Sequence, residues 1–393
     1  MTPSARVQAA IEIVDEVIAA AKAGGAPADR LIANYFKARR YAGSKDRRAV
    51  RELVYGAIRA CGPVPGSGRA AMLRLAEIDP AIAPLFDGEG HGPAPVSEGE
   101  PVADGGIAPD WLVARLLASD IDHTEAAALL DRAPLDLRVN TLKAERAGLD
   151  LPEPGEPLAA PHGLRFDAGT QVEQWPAYRE GAIEVQDGGS QIVCLAFGAE
   201  PGDTVIDLCA GAGGKTLAIA AQMENRGVLV ASDTDRARLS RFGPRAARAG
   251  VTIASTVLLD PGKELAALSD YAGKTDRVLI DAPCSGTGTW RRNPEARWRL
   301  TEKRLDQLVQ VQSQLLEIAR ELVAPHGTIT FVTCSLLDEE GAGQVERFLS
   351  ANPGWRAEPL ALPAGRERGE GMRLTPHHDG TDGFFVARLA QTR

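Results

Sequence analysis

Two cysteines in this chain stand where open α/β sheets place their chemistry. The run Arg277-Val-Leu-Ile-Asp281 reads as a buried strand, and it leads into Ala282-Pro-Cys284-Ser285. Gly327-Thr-Ile-Thr-Phe-Val-Thr333 reads as the next strand of the same kind, and it leads into Cys334-Ser335. Ligands of such sheets bind outside the carboxyl ends of the strands, so both thiols are expected at one such end. A thiolate is the reactive form of cysteine and attacks electron-poor carbon. The pair therefore points to covalent chemistry, with Asp281 as a carboxylate at the same strand end. The other three cysteines carry less. Cys61 and Cys194 fall on apparent helix faces and read as small core hydrophobes. Cys209 lies in a glycine-rich turn and is expected to contribute backbone, not a nucleophile.

That turn is Val205-Ile-Asp-Leu-Cys-Ala-Gly-Ala-Gly-Gly-Lys-Thr216. Val205, Ile206 and Leu208 suit a strand of a parallel sheet. A helix follows from about Gly214, and its first amides can face a polar or negative ligand. Gly211, Gly213 and Gly214 clear side chains from the path of that ligand. Three nucleotide-site patterns compete. A Walker A loop matches at Gly214-Lys215-Thr216 but finds Cys209 where its first glycine belongs. A dinucleotide fingerprint matches at Gly211 and Gly213 but finds Thr216 at its last position. The S-adenosylmethionine loop of class I methyltransferases tolerates the whole run, with Cys209, Ala210, Gly211, Ala212, Gly213, Gly214 and Lys215 around the cofactor. A strand–helix turn with no ligand is the bland alternative. Asp233 ends the following strand, about 20 residues on, where a carboxylate can hold ribose hydroxyls; a helix cap would also explain it. Asp260 follows the third strand and could accept from an adenine amino group, although an Asp-Pro-Gly turn explains an aspartate equally well. Methyltransferases acting on exocyclic nitrogens carry an Asn/Asp-Pro-Pro-aromatic turn at the position of Asp281-Ala-Pro-Cys284, and this chain offers a thiol there instead.

The elements that must position these groups follow from periodicity. From Thr204 onward, strands are expected at 204–208, 227–232, 252–258, 276–281, 327–333, near 355–360 and at 383–389. Helices lie between most of them, at 235–249, 301–323 and 337–351. Alternation of this kind with apolar strands predicts a doubly covered, mainly parallel sheet of seven strands, Rossmann-like in class. Upstream, helical spacing predicts helices over 3–22, 29–41, from Ser44 through Ile58, and over 69–78, 109–118 and 122–132. Ser44 is placed to cap its helix and Pro109 to open another. Residues 87–108 are rich in Gly, Pro and Glu and read as a flexible loop. The resulting division is a helical domain over 1–132, a small α+β segment over 133–200 and a catalytic domain over 201–393.

The net charge of −9 on 393 residues excludes a generic polyanion binder. Two local basic patches stand out. One holds Lys37, Arg39, Arg40, Lys45, Arg47, Arg48 and Arg51; the other holds Arg291, Arg292, Arg297, Arg299, Lys303 and Arg304. Either could be a solvated face. No apolar run of membrane-spanning length exists, the first helix lacks the layout of a signal peptide, and the cysteine spacing suggests neither disulfides nor zinc. A cytoplasmic, metal-free monomer is expected.

Taken together, Asp207-Leu-Cys-Ala-Gly-Ala-Gly-Gly-Lys-Thr216, Asp233-Thr-Asp235, Asp281-Ala-Pro-Cys-Ser285 and Thr333-Cys-Ser335 resemble the RNA (cytosine-5) methyltransferases of the RsmB/NOP type. The likeness runs from about Leu135 to the end. It takes in Leu137-Arg-Val-Asn140, Gln186-Asp-Gly-Gly-Ser-Gln191 and Thr375-Pro-His-His-Asp-Gly-Thr-Asp-Gly-Phe-Phe385. The N-terminal helices, with Gly43-Ser-Lys-Asp-Arg-Arg48, resemble the NusB-like RNA-binding domain of bacterial ribosomal RNA members. One departure is plain: the family loop usually reads Cys-Ala-Ala-Pro-Gly-Gly-Lys, and here Gly211-Ala212 stands for Ala-Pro.

The resemblance implies S-adenosyl-L-methionine as cofactor and a cytosine of RNA, in 16S ribosomal RNA, as substrate. It assigns Cys334 as the nucleophile that adds to carbon 6 and so activates carbon 5. It assigns Cys284 to release of the product. Asp281 would bond the cytosine edge, and Lys215 would favour the Cys334 thiolate. The base must be unpaired or flipped to reach such a site. Trp290-Arg-Arg-Asn-Pro-Glu-Ala-Arg-Trp298 combines arginines with aromatics, as a single-strand groove does. Arg291, Arg292, Arg297 and Trp298 are accordingly expected to touch RNA, as are Arg39, Arg40, Lys45, Arg47 and Arg48. A tRNA substrate, or a non-catalytic assembly factor that keeps the fold, are the alternatives.

Overall fold

The computed structural model describes residues 1–392, which divide into two compact units. The first comprises Met1–Asp131 together with Thr289–Thr301, and the second the remainder. Among the described residues no helix is long and apolar enough to cross a membrane.

The first unit is helical: α1 (Pro3–Ala23), α2 (Ala28–Lys37), α3 (Ser44–Ala60), α4 (Gly68–Ile78), α5 (Asp110–Ala118) and α6 (His123–Ala128). Its core joins Val7, Ile11, Val14 and Ile18 of α1 with Val50, Val54 and Ile58 of α3 and Met72 of α4. Thr2 caps α1 by accepting from the Ala5 amide, and Gly24 closes it at φ 68°. Ser44 does not cap α3. Gly43 takes that position, Ser44 is the first helical residue, and no side chain bonds the free amides. Pro109 likewise precedes α5 instead of opening it.

Residues 87–108 form no helix or strand, yet they are tied down and do not hang free. Ser4 Oγ donates to Asp87, Arg69 pairs with Glu100, and the Ala103 amide donates to the Ala70 carbonyl at 3.1 Å. Ala103 itself enters the helical core.

The arginine- and tryptophan-rich run corrects a second expectation. Residues 289–301 belong to the helical unit as a buried strap. Arg297 is fully buried, and its guanidinium donates to the carbonyls of Ile58 at 2.7 Å and Cys61 at 2.6 Å, and to that of Pro294. Ile58 and Cys61 lie at the C-terminus of α3, where carbonyls lack helical partners and a cation is favoured. Trp298 Nε1 donates to the Gly62 carbonyl at 3.2 Å, and Arg299 donates to those of Gly25 and Ala26. Arg291 and Trp290 are also buried. Burial pushes the Arg297 pKa down to about 10. Arg291, Arg297 and Trp298 are therefore internal structure, not an open RNA groove. The first basic patch is different: Arg40, Lys45, Arg47 and Arg48 are exposed, Arg39 is half-buried, and Tyr41 beside them is 75% exposed.

The second unit holds two sheets. The smaller is antiparallel, in the order β2 (Glu156–Pro157), β3 (Gly163–Phe166), β1 (Leu135–Val139), β4 (Ile183–Val185). The larger is built around parallel strands β5 (Thr204–Asp207), β6 (Val228–Asp233), β7 (Ala254–Leu258), β8 (Thr275–Asp281) and β9 (Val323–Thr333). Antiparallel strands β10 (Trp355–Glu358), β11 (Arg366–Arg368), β12 (Gly371–Leu374) and β13 (Phe384–Gln391) complete it. The order is β11-β12-β13-β9-β8-β5-β6-β7, with β10 also paired to β13. All seven expected strands are present. The two extra ones, β11 and β12, are short and arginine-rich, so no apolar alternation marked them. β9 starts at Val323, directly after the helix Glu302–Leu322 and four residues before the expected start at Gly327.

Successive strand residues face opposite sides. Ile206, Val230, Val278, Ile280 and Phe331 pack with the helix Glu302–Leu322 on one face. Val205, Leu229, Leu279 and Val332 pack with the helices Gly188–Phe197 and Gly214–Gln222 on the other. The small sheet is fixed to this body by polar contacts. Asn140 Nδ2 donates to the Gly181 and Ala249 carbonyls at 2.8 Å each, and Glu184 pairs with Arg245 and Arg248. Residues 133–200 thus form one unit with the larger sheet.

Replacing Arg297 with Met takes this donor from the buried carbonyls of Cys61 and Pro294 and leaves that of Ile58 with the Cys61 amide alone. We expect Arg297→Met to lower stability by about 2–4 kcal/mol in urea denaturation, given roughly 1–3 kcal/mol per unsatisfied buried group. An RNA-contacting arginine would instead lose RNA affinity and leave stability unchanged.

Candidate active site

β8 and β9 are parallel neighbours, with Asp281 opposite Val332 and the Ala282 amide donating to the Val332 carbonyl at 2.9 Å. That register carries the two cysteine turns to the same height. Cys284 Sγ lies 3.3 Å from Cys334 Sγ, and both residues are partly exposed. The separation expected from strand order alone is thus realised in space.

The turns are held from beneath by hydroxyls and one buried carboxylate. Ser285 Oγ and Ser335 Oγ are 3.1 Å apart, and Thr287 Oγ1 lies 3.2 Å from Ser335 Oγ. The Leu336 amide donates to Thr287 Oγ1, and the Gly288 amide donates to the Cys334 carbonyl. Glu340 accepts from the Ser285 amide at 2.8 Å, from Ser285 Oγ, and from Gln312 Nε2 at 3.0 Å. Gln312 Nε2 also donates to the Pro283 carbonyl. Neither Glu340 nor Gln312 was singled out from sequence. An acidic Asp-Glu-Glu run after a strand reads as a solvated turn, and only its burial distinguishes it.

Asp281 is completed by Lys215, whose Nζ donates to Oδ2 at 2.6 Å. Burial opposes the Lys215 ammonium, but the charge and hydrogen bond of Asp281, together with the sulfurs of Cys194 and Cys334, outweigh it and hold the pKa above the ordinary value. Cys284 is held well above the usual thiol range by its contact with Cys334 and by burial. Cys284 therefore stands as a thiol. Cys209 is pushed well up by burial and nearby carboxylates, and burial raises Cys61 and Cys194 to about 11. Cys61 and Cys194 are buried, and Cys209 is half-buried in the glycine turn.

The glycine turn lies after β5. Gly211 adopts φ 56° and Gly213 φ 83°, both in the left-handed region that favours glycine. A Cβ on Gly213 would meet the Phe242 ring at 2.1 Å, whereas one on Gly214 would meet nothing within 4 Å. The helix Gly214–Gln222 thus starts with an open first residue. Asp233 accepts from the Gly211 amide through Oδ2 and from the Asp235 amide through Oδ1, each at 2.7 Å. The helix cap at this point is Asp235, not Asp233. Each Asp233 oxygen keeps a second lone pair for a ligand hydroxyl. The Ala212 carbonyl accepts from Arg245. Asp260 is exposed beyond β7, next to Leu259, whose amide bonds the Asp233 carbonyl.

Two further sequence runs meet here. Asp187 caps the helix Gly188–Phe197 and accepts from the Asp382 amide. Arg165 joins Asp136 to the Gly380 carbonyl, and Gly383 donates to the Gly288 carbonyl at 2.8 Å. Gln186–Gln191 and Thr375–Phe385 therefore brace the turn that carries Cys284.

An open sheet of this order, with a glycine turn after its central strand and a carboxylate at the end of the next, has the class I methyltransferase fold. The family model for "16S rRNA methyltransferase RsmB/F" matches residues 194–390. The chain belongs to this RsmB/F methyltransferase family. It is 36% identical over 294 residues to ribosomal RNA small subunit methyltransferase B of Pasteurella multocida, covering 72% of this chain and 64% of that one. It is also 36% identical over 300 residues to the probable enzyme of the same name from Synechocystis, covering 72% and 66%. The chain thus spans just under two thirds of the curated relatives it matches. Among solved structures, PH0851 is 25% identical with a TM-score of 0.75, over 100% of this chain and 99% of that one. NSun6 from Pyrococcus horikoshii is 21% identical with a TM-score of 0.61, over 71% and 97%, a likeness of fold.

Asp207 supplies a pH test of this turn. It is buried, and Thr216 Oγ1 donates to its Oδ2 at 2.7 Å. Burial pushes its pKa up to about 7, against the pull of Thr216. The unfolded chain releases this proton near pH 4 while the folded chain keeps it, so the group costs stability as pH rises toward 7. The advantage of Asp207→Asn over the native protein should grow by roughly 2–3 kcal/mol from about pH 5 to pH 8 and be flat above. Urea denaturation at several pH values checks this; a difference independent of pH would refute it.

Proposed function

We propose that this protein methylates carbon 5 of a cytosine in RNA, with S-adenosyl-L-methionine as methyl donor and 16S ribosomal RNA as the substrate. The observation that carries the reading is the 3.3 Å approach of Cys284 and Cys334 at the ends of two parallel strands. Family membership supports it, as do the names of the curated relatives.

The donor fits the glycine turn on three counts. Gly214 leaves space open, Asp233 retains acceptor capacity for ribose hydroxyls, and Asp260 stands beyond the next strand for an adenine amino group. Cys209, Ala210, Gly211, Ala212, Gly213 and Lys215 complete the proposed cradle. When bound, the donor presents an electrophilic methyl group.

Cys334, as thiolate, adds to carbon 6 and pushes electron density to carbon 5. Asp281 holds the Lys215 ammonium at the site through a 2.6 Å bond. Asp281 Oδ1 is available to accept from the exocyclic amino group on the N3 edge of the base. Release then breaks two bonds. The carbon 5–hydrogen electron pair becomes the carbon 5–carbon 6 double bond, and the sulfur–carbon 6 pair leaves on Cys334. The Cys284 thiol gives its proton to the departing sulfur and takes the proton from carbon 5. Both cysteines end as thiols.

Two measurements test the chemistry. Cys334→Ala should abolish methyl transfer. Cys284→Ala should leave a protein–RNA adduct that survives denaturing electrophoresis; exchange of the two phenotypes would reverse the roles. Bisulfite sequencing of RNA from cells with and without the gene should show one 16S cytosine lose protection, and loss in tRNA instead would move the substrate. RNA capture is assigned to the exposed helical patch of Arg39, Arg40, Lys45, Arg47 and Arg48, and to Arg292 on the strap. The triple change Arg40→Ala, Lys45→Ala, Arg48→Ala should weaken binding and reduce the salt slope by about 2, at roughly 0.7 per phosphate contact.

A further inference from the structure

Glu340 is fully buried in the second unit, and none of the steps above uses it. Its carboxylate has no cation among its bonded partners in the described residues. It is satisfied by the Ser285 amide, the Ser285 hydroxyl and Gln312 Nε2. A buried charge without a counter-ion is costly, so each of these bonds carries weight. Every one leads to the turn after β8. Ser285 is the residue next to Cys284, and Gln312 also holds the Pro283 carbonyl on the other side of it. Glu340 itself sits on the segment after β9, six residues beyond Cys334. Ser285 Oγ meets Ser335 Oγ at 3.1 Å, which joins the two cysteine turns a second time. Gln312 is fixed in turn by Gln344, whose Nε2 donates to Gln312 Oε1 at 3.0 Å.

We propose that Glu340 is a positioning residue for the release step: it clamps the Cys284 turn against the Cys334 turn so that the Cys284 thiol meets the Cys334 sulfur. The inference rests on the cytosine-5 reading above and deepens it. The Glu340 charge also acts on Cys284 directly, as one of the influences that hold its proton on. Attack and methyl transfer require Cys334, Lys215 and Asp281 and do not require this clamp. Loss of Glu340 should therefore separate the two halves of the cycle, with transfer retained and release impaired.

The test uses the full chain, S-adenosylmethionine and a 16S ribosomal RNA transcript, in ordinary form and with 5-fluorocytidine. Fluorine at carbon 5 blocks release in any enzyme that can attack. The native protein should be trapped on the fluorinated RNA alone, and Cys334→Ala on neither. Glu340→Gln should be trapped on both, with turnover down about tenfold or more and KM for RNA within about twofold. Alkylation of Cys284 should shift to lower pH in the same variant. Ser285→Ala, which removes one clamp bond and keeps the backbone, should show the same adduct in smaller amount. If the native protein neither methylates nor is trapped, the cytosine-5 reading fails. If the native protein does both, and Glu340→Gln releases normally or loses transfer and release in parallel, the positioning role is overturned.

Discussion

The parallel register between β8 and β9 is the constraint on which this site depends. One hydrogen bond past the last paired residues, Ala282 N–H to Val332 carbonyl, fixes where each chain leaves the sheet. A slip of one residue would turn Cys284 or Cys334 to the opposite side. Parallel strands cannot be joined by a tight turn, so the turns that follow them must be fastened by other means. Here the means are side chains and close backbone contact. Gly288 and Gly383 touch so closely that a Cβ on Gly288 would lie 2.2 Å from the Gly383 carbonyl oxygen. Gly383 belongs to the closing segment, which Asp187 and Arg165 hold in place.

Electrostatics keeps the proton on one of the two paired sulfurs, Cys284. Cys284 keeps its proton because its neighbours are a second sulfur and a buried carboxylate, and because it is desolvated. The only ammonium at the site belongs, among the described residues bonded there, to Lys215, and Asp281 holds it. The 3.3 Å approach of the two sulfurs is what supports a donor–nucleophile pair in the proposed reaction. Asp207, one turn away, contributes differently: it is buried, and its bond from Thr216 ties the strand end to the first turn of the helix.

The strand ends were legible because two local rules coincide there. Apolar runs marked the strands, and Gly, Pro and Asp marked where they stop. The convergence of Cys284 and Cys334 followed from those stops and from strand order. The strap at 289–301 was not legible, because arginine beside tryptophan is the composition of an RNA groove and equally of a buried helix-end clamp. Arg297 differs from an RNA ligand only through the carbonyls of Ile58 and Cys61, far away in sequence. Residues 87–108 have the composition of a loop and form no helix or strand, and the bonds to Ser4, Ala70 and Arg69 come from distant sequence. Glu340 was hidden by its acidic neighbours. Tertiary partners decided each of these cases, and no local pattern encodes them.

The departure in the cofactor turn has a local explanation. At φ 56°, Gly211 occupies a conformation that costs other L-residues about 1 kcal/mol or more. The space that a Cβ would fill there is taken by Arg238, whose Nη2 would lie 2.6 Å away. The turn's rigidity, which a proline at position 212 would supply covalently, comes instead from Asp233 on the Gly211 amide and Arg245 on the Ala212 carbonyl. Two hydrogen bonds to charged groups, each worth about 1.5–3 kcal/mol, exceed the entropy lost by exchanging one proline for alanine, about 0.4–1 kcal/mol. Gly211, Arg238 and Arg245 therefore form a matched set. The turn keeps its shape by anchoring from neighbouring strands and helices, and the open face at Gly214 is preserved.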